Sequence, residues 1–345
     1  MVDKIRVALL GYGNAGKTFH APLIAATPGM ELTAIASSSA DKVHSDWPAI
    51  QVVNDVRWLF DDRRIDLIVI ATPNDSHFAL AQQALAAGKH VVVDKPFTVT
   101  LSQAEQLKQL AEREGKLLSV FHNRRWDSDF LTLKTLLAQG TLGEVVYFES
   151  HFDRYRPEVR TRWREQAGDG SGIWYDLAPH LLDQALQLFG MPETLFVDFG
   201  CLRQASSATD YFHALLKYPQ SRVVLHSTLL AAAETPRYLV HGTHGSYIKY
   251  GFDPQEAQLK MARSPAMAQF GHDPQQGIVT LSQNGQLTQS PYTNLPGNYL
   301  AYYTAIANTL HGRGTNPVTV EQAIAVMKLL ELGIYSAKQQ RPYAV

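Results

Sequence analysis

The chain has 345 residues, 45% of them hydrophobic and 18% charged, with 31 Lys and Arg against 32 Asp and Glu. That length allows two domains with substantial cores, and the balanced charge excludes the basic footprint of a nucleic-acid or membrane-surface binder. Cys201 is the single cysteine, no secretory leader pattern is present, and no apolar run approaches the roughly 20 residues of a membrane span, so a cytoplasmic protein is expected.

Ile5–Leu10 reads as a buried strand that runs straight into Gly11-x-Gly13-x-x-Gly16 and a helical pattern. This strand–turn–helix order is the context of a dinucleotide fingerprint. Gly11 permits the tight turn, Gly13 lets the backbone approach a pyrophosphate, and Gly16 lets the helix pack on the strand. The N–H groups at the helix start then face an anion. On their own, the same glycines also describe an ordinary turn. Further strands at Leu32–Ser37, Leu67–Ala71, His90–Val93 and Leu117–Phe121 alternate with helical patterns such as Phe78–Ala87 and Ser102–Gly115. Ser102-x-x-Glu105 is a capping-box signature. The alternation implies a parallel sheet covered on both faces, with its ligand crevice at the carboxyl ends of the strands.

The residues after each strand are therefore the ones to read for chemistry. After the second come Ser37, Ser38 and Ser39, then Asp41 and Lys42, where an NAD site usually places a carboxylate for the ribose 2′-OH. Hydroxyls and an ammonium suit a 2′-phosphate, so NADP is expected over NAD, with Asp41 the one feature against it. After the third, Thr72-Pro73-Asn74-Asp75 breaks the chain and caps the next helix, which by itself is a structural reading. After the fourth, Asp94-Lys95-Pro96 sets a lysine where it can hydrogen-bond a substrate oxygen, although a solvated surface lysine is the commoner state.

Beyond Phe121 the pattern changes. A helix at Leu131–Ala138 precedes extended segments at Val145–Phe152, Phe196–Gly200, His213–Tyr218, Val223–Leu229, Tyr238–Gly242 and Ile278–Ser282, with a hairpin signal at Asn284-Gly285. These predict a largely antiparallel sheet. After a glycine-rich connector at residues 168–172, Pro179 places a helix start close to Asp176, and the i,i+4 spacing brings Asp176 and His180 to one face. The structural alternative is a capping Asp176 and a satisfied core His180. Val320–Lys338 is a long helical pattern preceded by Pro317 and a capping Thr319.

Together, Gly11-Tyr12-Gly13-Asn14-Ala15-Gly16, Ala71-Thr72-Pro73-Asn74, Asp94-Lys95-Pro96 and Asp176-x-x-x-His180 resemble the Gfo/Idh/MocA oxidoreductases over nearly the whole chain. Members of that family usually carry Glu-Lys-Pro where this chain has Asp94-Lys95-Pro96, which leaves the role of Asp94 open. The segments 17–22 and 122–127 are similar to a subgroup of NADP-dependent scyllo-inositol dehydrogenases. The resemblance implies an α/β protein: an N-terminal Rossmann dinucleotide-binding domain, residues 1–121, and a C-terminal α+β domain, residues 122–318, with a large mostly antiparallel sheet. That second domain would bind substrate and carry the interface of a homodimer or larger homo-oligomer. A C-terminal helix, residues 319–340, would pack back on the first domain.

The resemblance also implies Lys95, Asp176 and His180 as the catalytic set. Cofactor contacts would come from Gly11, Gly13, Asn14, Ala15, Ser37, Ser38, Lys42, Thr72, Pro73, Asn74, His77, Asp94, Lys95 and Asn123. No metal is expected. In oxidation of a secondary alcohol, His180 takes the hydroxyl proton, Lys95 stabilises alkoxide character and an ionised Asp176 orients its partners. Arg124, His151, Tyr155, Arg162 and Trp163 are the candidate substrate contacts, joined by Asn123 on the pocket wall. This mostly hydrogen-bonding lining suits a compact polyhydroxylated ligand, and a cyclic polyol such as scyllo-inositol is the expected substrate. Its cations could instead hold a carboxylate or phosphate. The alternatives are an aldose or sugar-acid dehydrogenase, or a non-catalytic NADP-sensing binding protein.

Overall fold

The structure, a computed structural model, describes residues 4–345. They form two compact units. The first holds the chain up to Trp126 together with Gln255–Phe270 and Asn298–Ile324; the second holds Asp127–Pro254, Gly271–Gly297 and Ala325–Val345. Two segments expected in the second domain thus return to the first. Polar anchoring holds them there. The buried Gln255 side chain accepts Tyr299 N–H at 2.7 Å and donates to Trp126 O at 3.0 Å. Tyr302 and Tyr303 pack their rings on Phe121.

In the first unit, β1 (Ile5–Leu10), β2 (Met30–Ala36), β3 (Gln51–Val53), β4 (Leu67–Ile70), β5 (His90–Asp94) and β6 (Leu118–Phe121) make one parallel sheet in the order β3-β2-β1-β4-β5-β6. Val7, Leu9, Val69 and Val92 are fully buried, as strands covered on both faces require. Strand order reverses between β1 and β4, the switch point at which such sheets bind ligands. β3 has no counterpart among the predicted strands, since three residues carry no legible period. The capping box lies two residues before the expected one. Thr100 Oγ1 accepts Gln103 N–H and Gln103 Oε1 accepts Thr100 N–H, both at 3.3 Å, so Ser102 is already inside the Leu101–Glu114 helix.

In the second unit, β7 (Val145–His151), β8 (Thr194–Gly200), β9 (Tyr211–Lys217), β10 (Arg222–Thr228), β11 (Tyr238–Gly242), β12 (Gly245–Lys249), β13 (Gly277–Gln283), β14 (Gln286–Tyr292) and β15 (Tyr343–Ala344) form one sheet in the order β14-β13-β12-β11-β7-β10-β9-β8-β15. Every pair is antiparallel except β7 with β10. Asn284 and Gly285, both at positive φ, make the expected tight turn between β13 and β14.

The Gly172–Phe189 helix packs on one face of this sheet. Trp174 meets Phe199 and Phe212, and Phe189 meets Phe148. Its start differs from the expected one: it begins four residues before Asp176 and carries Pro179 inside it. A tertiary anchor sets that start. Ile173 N–H donates to Thr209 O at 2.8 Å, and Gly172, at φ +79°, lies so close to Thr209 that a Cβ would stand 3.0 Å from its backbone. The Val320–Gln339 helix opens with the predicted Thr319 cap, Thr319 Oγ1 accepting Gln322 N–H at 3.4 Å. Its residues up to Ile324 belong to the first unit and the rest to the second. There Trp174 Nε1 donates to Leu330 O at 3.0 Å and Ser336 Oγ accepts Val197 N–H at 2.9 Å. Among the described residues, no helix is long and apolar enough to cross a membrane.

Candidate active site

The glycine turn of the first unit is shaped by three distinct steric needs. Gly11 sits at φ +93°, and a Cβ there would stand 2.7 Å from Ala71 O. A Cβ on Gly16 would collide with Gly11 O, whereas one on Gly13 would meet nothing. Gly13 is thus left bare toward open space. It lines two adjoining recesses. One, of about 410 Å³, is walled by Gly11, Ser37, Ser38, Ser39, Lys42 and Thr72 among others, and among the described residues no carboxylate lines it. The second, of about 890 Å³, runs past Asn14, Lys17 and Trp47 to Lys260, Arg263 and Ser264. Lys42 Nζ donates to Tyr12 O at 3.0 Å, which fixes the ammonium between the two. Asp46, the acid of the larger recess, is already engaged by Lys17 at 2.7 Å and Tyr12 OH at 2.8 Å. The Lys17 hydrogen bond holds its pKa below the usual carboxylate range despite partial burial.

At the end of β5, Lys95 N–H donates to Asp94 Oδ1 at 2.8 Å. Asp94 is buried, which works against its ionisation, but the facing His20 and the Lys95 charge hold its pKa below the ordinary value. His20, itself fully buried, has Nδ1 2.6 Å from Tyr303 OH. His77 ties the turn after β4 to the Lys95–Pro96 segment: its ring nitrogens lie 3.0 Å from Thr72 O and 2.9 Å from Pro96 O. Burial holds its pKa below the ordinary value. Thr72 Oγ1 bonds Ser76 Oγ at 2.6 Å, and Ser76 donates to Pro73 O at 2.6 Å, so the 72–77 turn is closed on itself. Asn74 and Asn123 are buried, Ala15 is half-buried, and Asn14, Ser38, Lys42 and Pro73 are exposed. Arg124 is buried with Nη2 2.9 Å from Glu256 Oε2.

In the second unit, Asp176 and His180 occupy successive turns of the Gly172–Phe189 helix, Asp176 half-buried and His180 buried. Arg164 Nε is 3.8 Å from Asp176 Oδ1. Arg154, Arg156, Arg162, Arg164 and Asp176 line one narrow pocket of about 20 Å³, a water-sized volume. Burial and the neighbouring Arg162 and Arg160 push the Arg156 pKa down. Arg162 Nε donates to Glu165 Oε1 at 2.6 Å, while the Arg164 guanidinium lies 4.8 Å from the centre of the half-exposed Trp163 ring. Tyr155 is exposed and bridges Leu230.

His151 stands apart from this group. It points from β7 to the sheet face opposite the Gly172–Phe189 helix and bonds Glu149 and Asp153. Burial opposes its protonation, but those two carboxylates hold its pKa above the ordinary value. Sequence reasoning missed His20, Tyr303, Lys260 and Arg263. Only His20 left a signal, inside the segment 17–22.

The bare Gly13, the helix start beside it and the cationic recess walls fit the phosphates of a dinucleotide. A family description of an oxidoreductase NAD-binding Rossmann fold matches residues 5–122, and its companion, the oxidoreductase family C-terminal alpha/beta domain, matches residues 134–345. The chain is 62% identical over 340 residues to the oxidoreductase YdgJ of Escherichia coli, covering 99% of this chain and 98% of that one. It is 38% identical over 342 residues to scyllo-inositol 2-dehydrogenase (NADP(+)) IolW of Bacillus subtilis, covering 99% and 96%. Among solved structures, YPO2259 of Yersinia pestis matches with a TM-score of 0.97 at 67% identity, covering 100% of this chain and 98% of that one. With both halves matched and the glycine turn built for a nicotinamide dinucleotide, this chain belongs to the Gfo/Idh/MocA family and is an oxidoreductase.

Proposed function

We propose that the protein catalyses reversible NADP-linked oxidation of a cyclic polyol of the inositol type. The observation that carries the cofactor half is the recess beside Gly13, where Ser37, Ser38, Ser39 and Lys42 stand and, among the described residues, no carboxylate does. Lys42 and the serine hydroxyls would hold the 2′-phosphate, which a carboxylate at that position would repel. The substrate half is supported by the 38% identical relative named as an NADP-dependent scyllo-inositol dehydrogenase. When bound, the cofactor supplies hydride transfer. In this reading His180 takes the proton of the hydroxyl being oxidised, Lys95 stabilises the negative charge that develops on its oxygen, and Asp176 orients the two. The Asp94 bond to Lys95 N–H fixes where the lysine side chain begins.

A panel of inositol isomers with NADP or NAD, the corresponding inosose with NADPH, aldoses and sugar acids, followed by NADPH absorbance, tests this. Turnover of inositols with NADP supports it; inert inositols and inosose beside an active aldose overturn the substrate. A second reading, a sugar acid, is favoured by the arginines beside Asp176, which could grip a carboxylate.

We also propose a cytoplasmic homo-oligomer. The sheet face opposite the Gly172–Phe189 helix carries half-buried Phe196, Leu215, Leu239 and Ile248, with Ile278 39% exposed, and a second copy of this face would cover them.

A further inference from the structure

We propose that His151, Asp153 and His226 form a binding site for a zinc-class divalent ion, separate from the dehydrogenase chemistry. β7 and β10 are the parallel pair of their sheet, and their register sets His151 directly beside His226. Asp153 follows two residues after His151, on the same face. One ligand atom from each of the three lies within 4.8 Å of the others. His226 Nδ1 is 2.9 Å from Asp153 Oδ1, and His151 Nδ1 is 3.3 Å from Asp153 Oδ2. Ligand bonds of about 2.0–2.1 Å in a tetrahedral site give ligand-to-ligand edges of about 3.3 Å. The two histidines approach different oxygens of Asp153, so one carboxylate oxygen and the two rings, now within 4.8 Å of one another, would draw together by up to about 1.5 Å around an ion. Two imidazoles and one carboxylate suit zinc, with the fourth position taken by a single water, which the site could hold whether or not a second copy covers this face.

The surroundings of the three are those of a held ligand set. His151 Nε2 is 2.7 Å from Glu149 Oε2, and Tyr147 OH in turn bonds Glu149. That is the carboxylate–histidine arrangement which orients a metal-bound imidazole. Asp153 is fixed independently: Oδ1 accepts Thr228 N–H at 3.0 Å and Oδ2 accepts Thr235 Oγ1–H at 2.8 Å, leaving its side chain 4% exposed. Sequence reasoning expected no metal because 73 residues separate Asp153 from His226 and no ligand spacing is visible.

Titration of the untagged full chain with Co²⁺, followed by its visible absorption and by displacement with Zn²⁺, tests the site without substrate or cofactor. One equivalent is expected, with affinity at least tenfold weaker in His226→Ala and 10–100-fold weaker in Glu149→Gln, the range for a lost outer partner. His241→Ala removes another histidine of the same face, one bonded to Ser246, and should bind as wild type does. Circular dichroism checks folding, and Glu149→Gln decides if His226→Ala unfolds. Wild-type uptake no greater than in these two variants, or an equal loss in His241→Ala, overturns the proposal in favour of a proton-bridged network.

Discussion

Asp94 Oδ1 lies 3.8 Å from His20 Nε2 and at the same time accepts the Lys95 N–H at 2.8 Å. The short acid of Asp94-Lys95-Pro96 is therefore a buried anchor, held between a histidine that itself contacts Tyr303 and the backbone of the lysine. Its chemistry is positional: it sets the point from which the Lys95 side chain departs.

Because the pKa of Asp94 is lowered on folding, its stabilisation is present above the ordinary carboxylate value of 3.8 and is lost as pH falls through the lower folded value. Asp94→Asn should cost about 1–3 kcal/mol at neutral pH, the range for an unsatisfied buried partner. Urea melts at pH 7 and pH 3 should show the gap between wild type and variant shrinking at acid pH. A gap that stays constant contradicts this account.

Lys95→Ala and His180→Ala should each lower kcat by roughly two to four orders of magnitude, as for loss of an acid–base group. NADP titration should show His180→Ala binding the cofactor normally, since the glycine turn and both recesses belong to the first unit and His180 to the second. Near-normal turnover in either variant would return both residues to structural roles.

Ser38 is exposed on the wall of the recess beside Gly13. NADP should be preferred over NAD by at least about tenfold, or about 1.4 kcal/mol, and Ser38→Asp should erode that preference. Steady-state kinetics with both cofactors gives the ratio, and equal or better turnover of the wild type with NAD would sink the assignment.

The displaced capping box makes a local test. Thr100→Ala should lower stability by about 1 kcal/mol, whereas Ser102→Ala, inside the helix, should leave it unchanged or slightly raised. Thermal melts of both variants separate the two positions.

Light scattering should give a mass of at least two chains, and Leu215→Glu should reduce it by placing a charge on the covered sheet face. A wild type that stays at the single-chain mass at working concentration rules out the oligomer.

The first sheet was legible because its signals are local. Val7 to Leu10 must be apolar to be buried on both faces, and Gly11, Gly13 and Gly16 meet steric needs within one turn of chain. The Asn284-Gly285 hairpin and the Thr319 cap were legible for the same reason. Three features were not, the three-residue β3 being the first. The start of the helix bearing Asp176 and His180 is set by Thr209, far along the chain, so the local signal of Pro179 misplaced it. The return of Gln255–Phe270 and Asn298–Ile324 to the first unit rests on Gln255 bonding both Trp126 and Tyr299, which no spacing records.

Side-chain grouping shows the same division. That Lys95 directly follows a strand, and that Asp176 and His180 share a helix face, was legible in the sequence, because backbone periodicity fixes both. That Lys260 and Arg263 border the glycine-turn recess, and that His151 turns away from the helix to meet His226, follows from long-range packing and is invisible in any local pattern. Strand register makes that second choice. A shift of one residue in β7 or β10 would send each histidine to the opposite face, and register is set by pairing between strands.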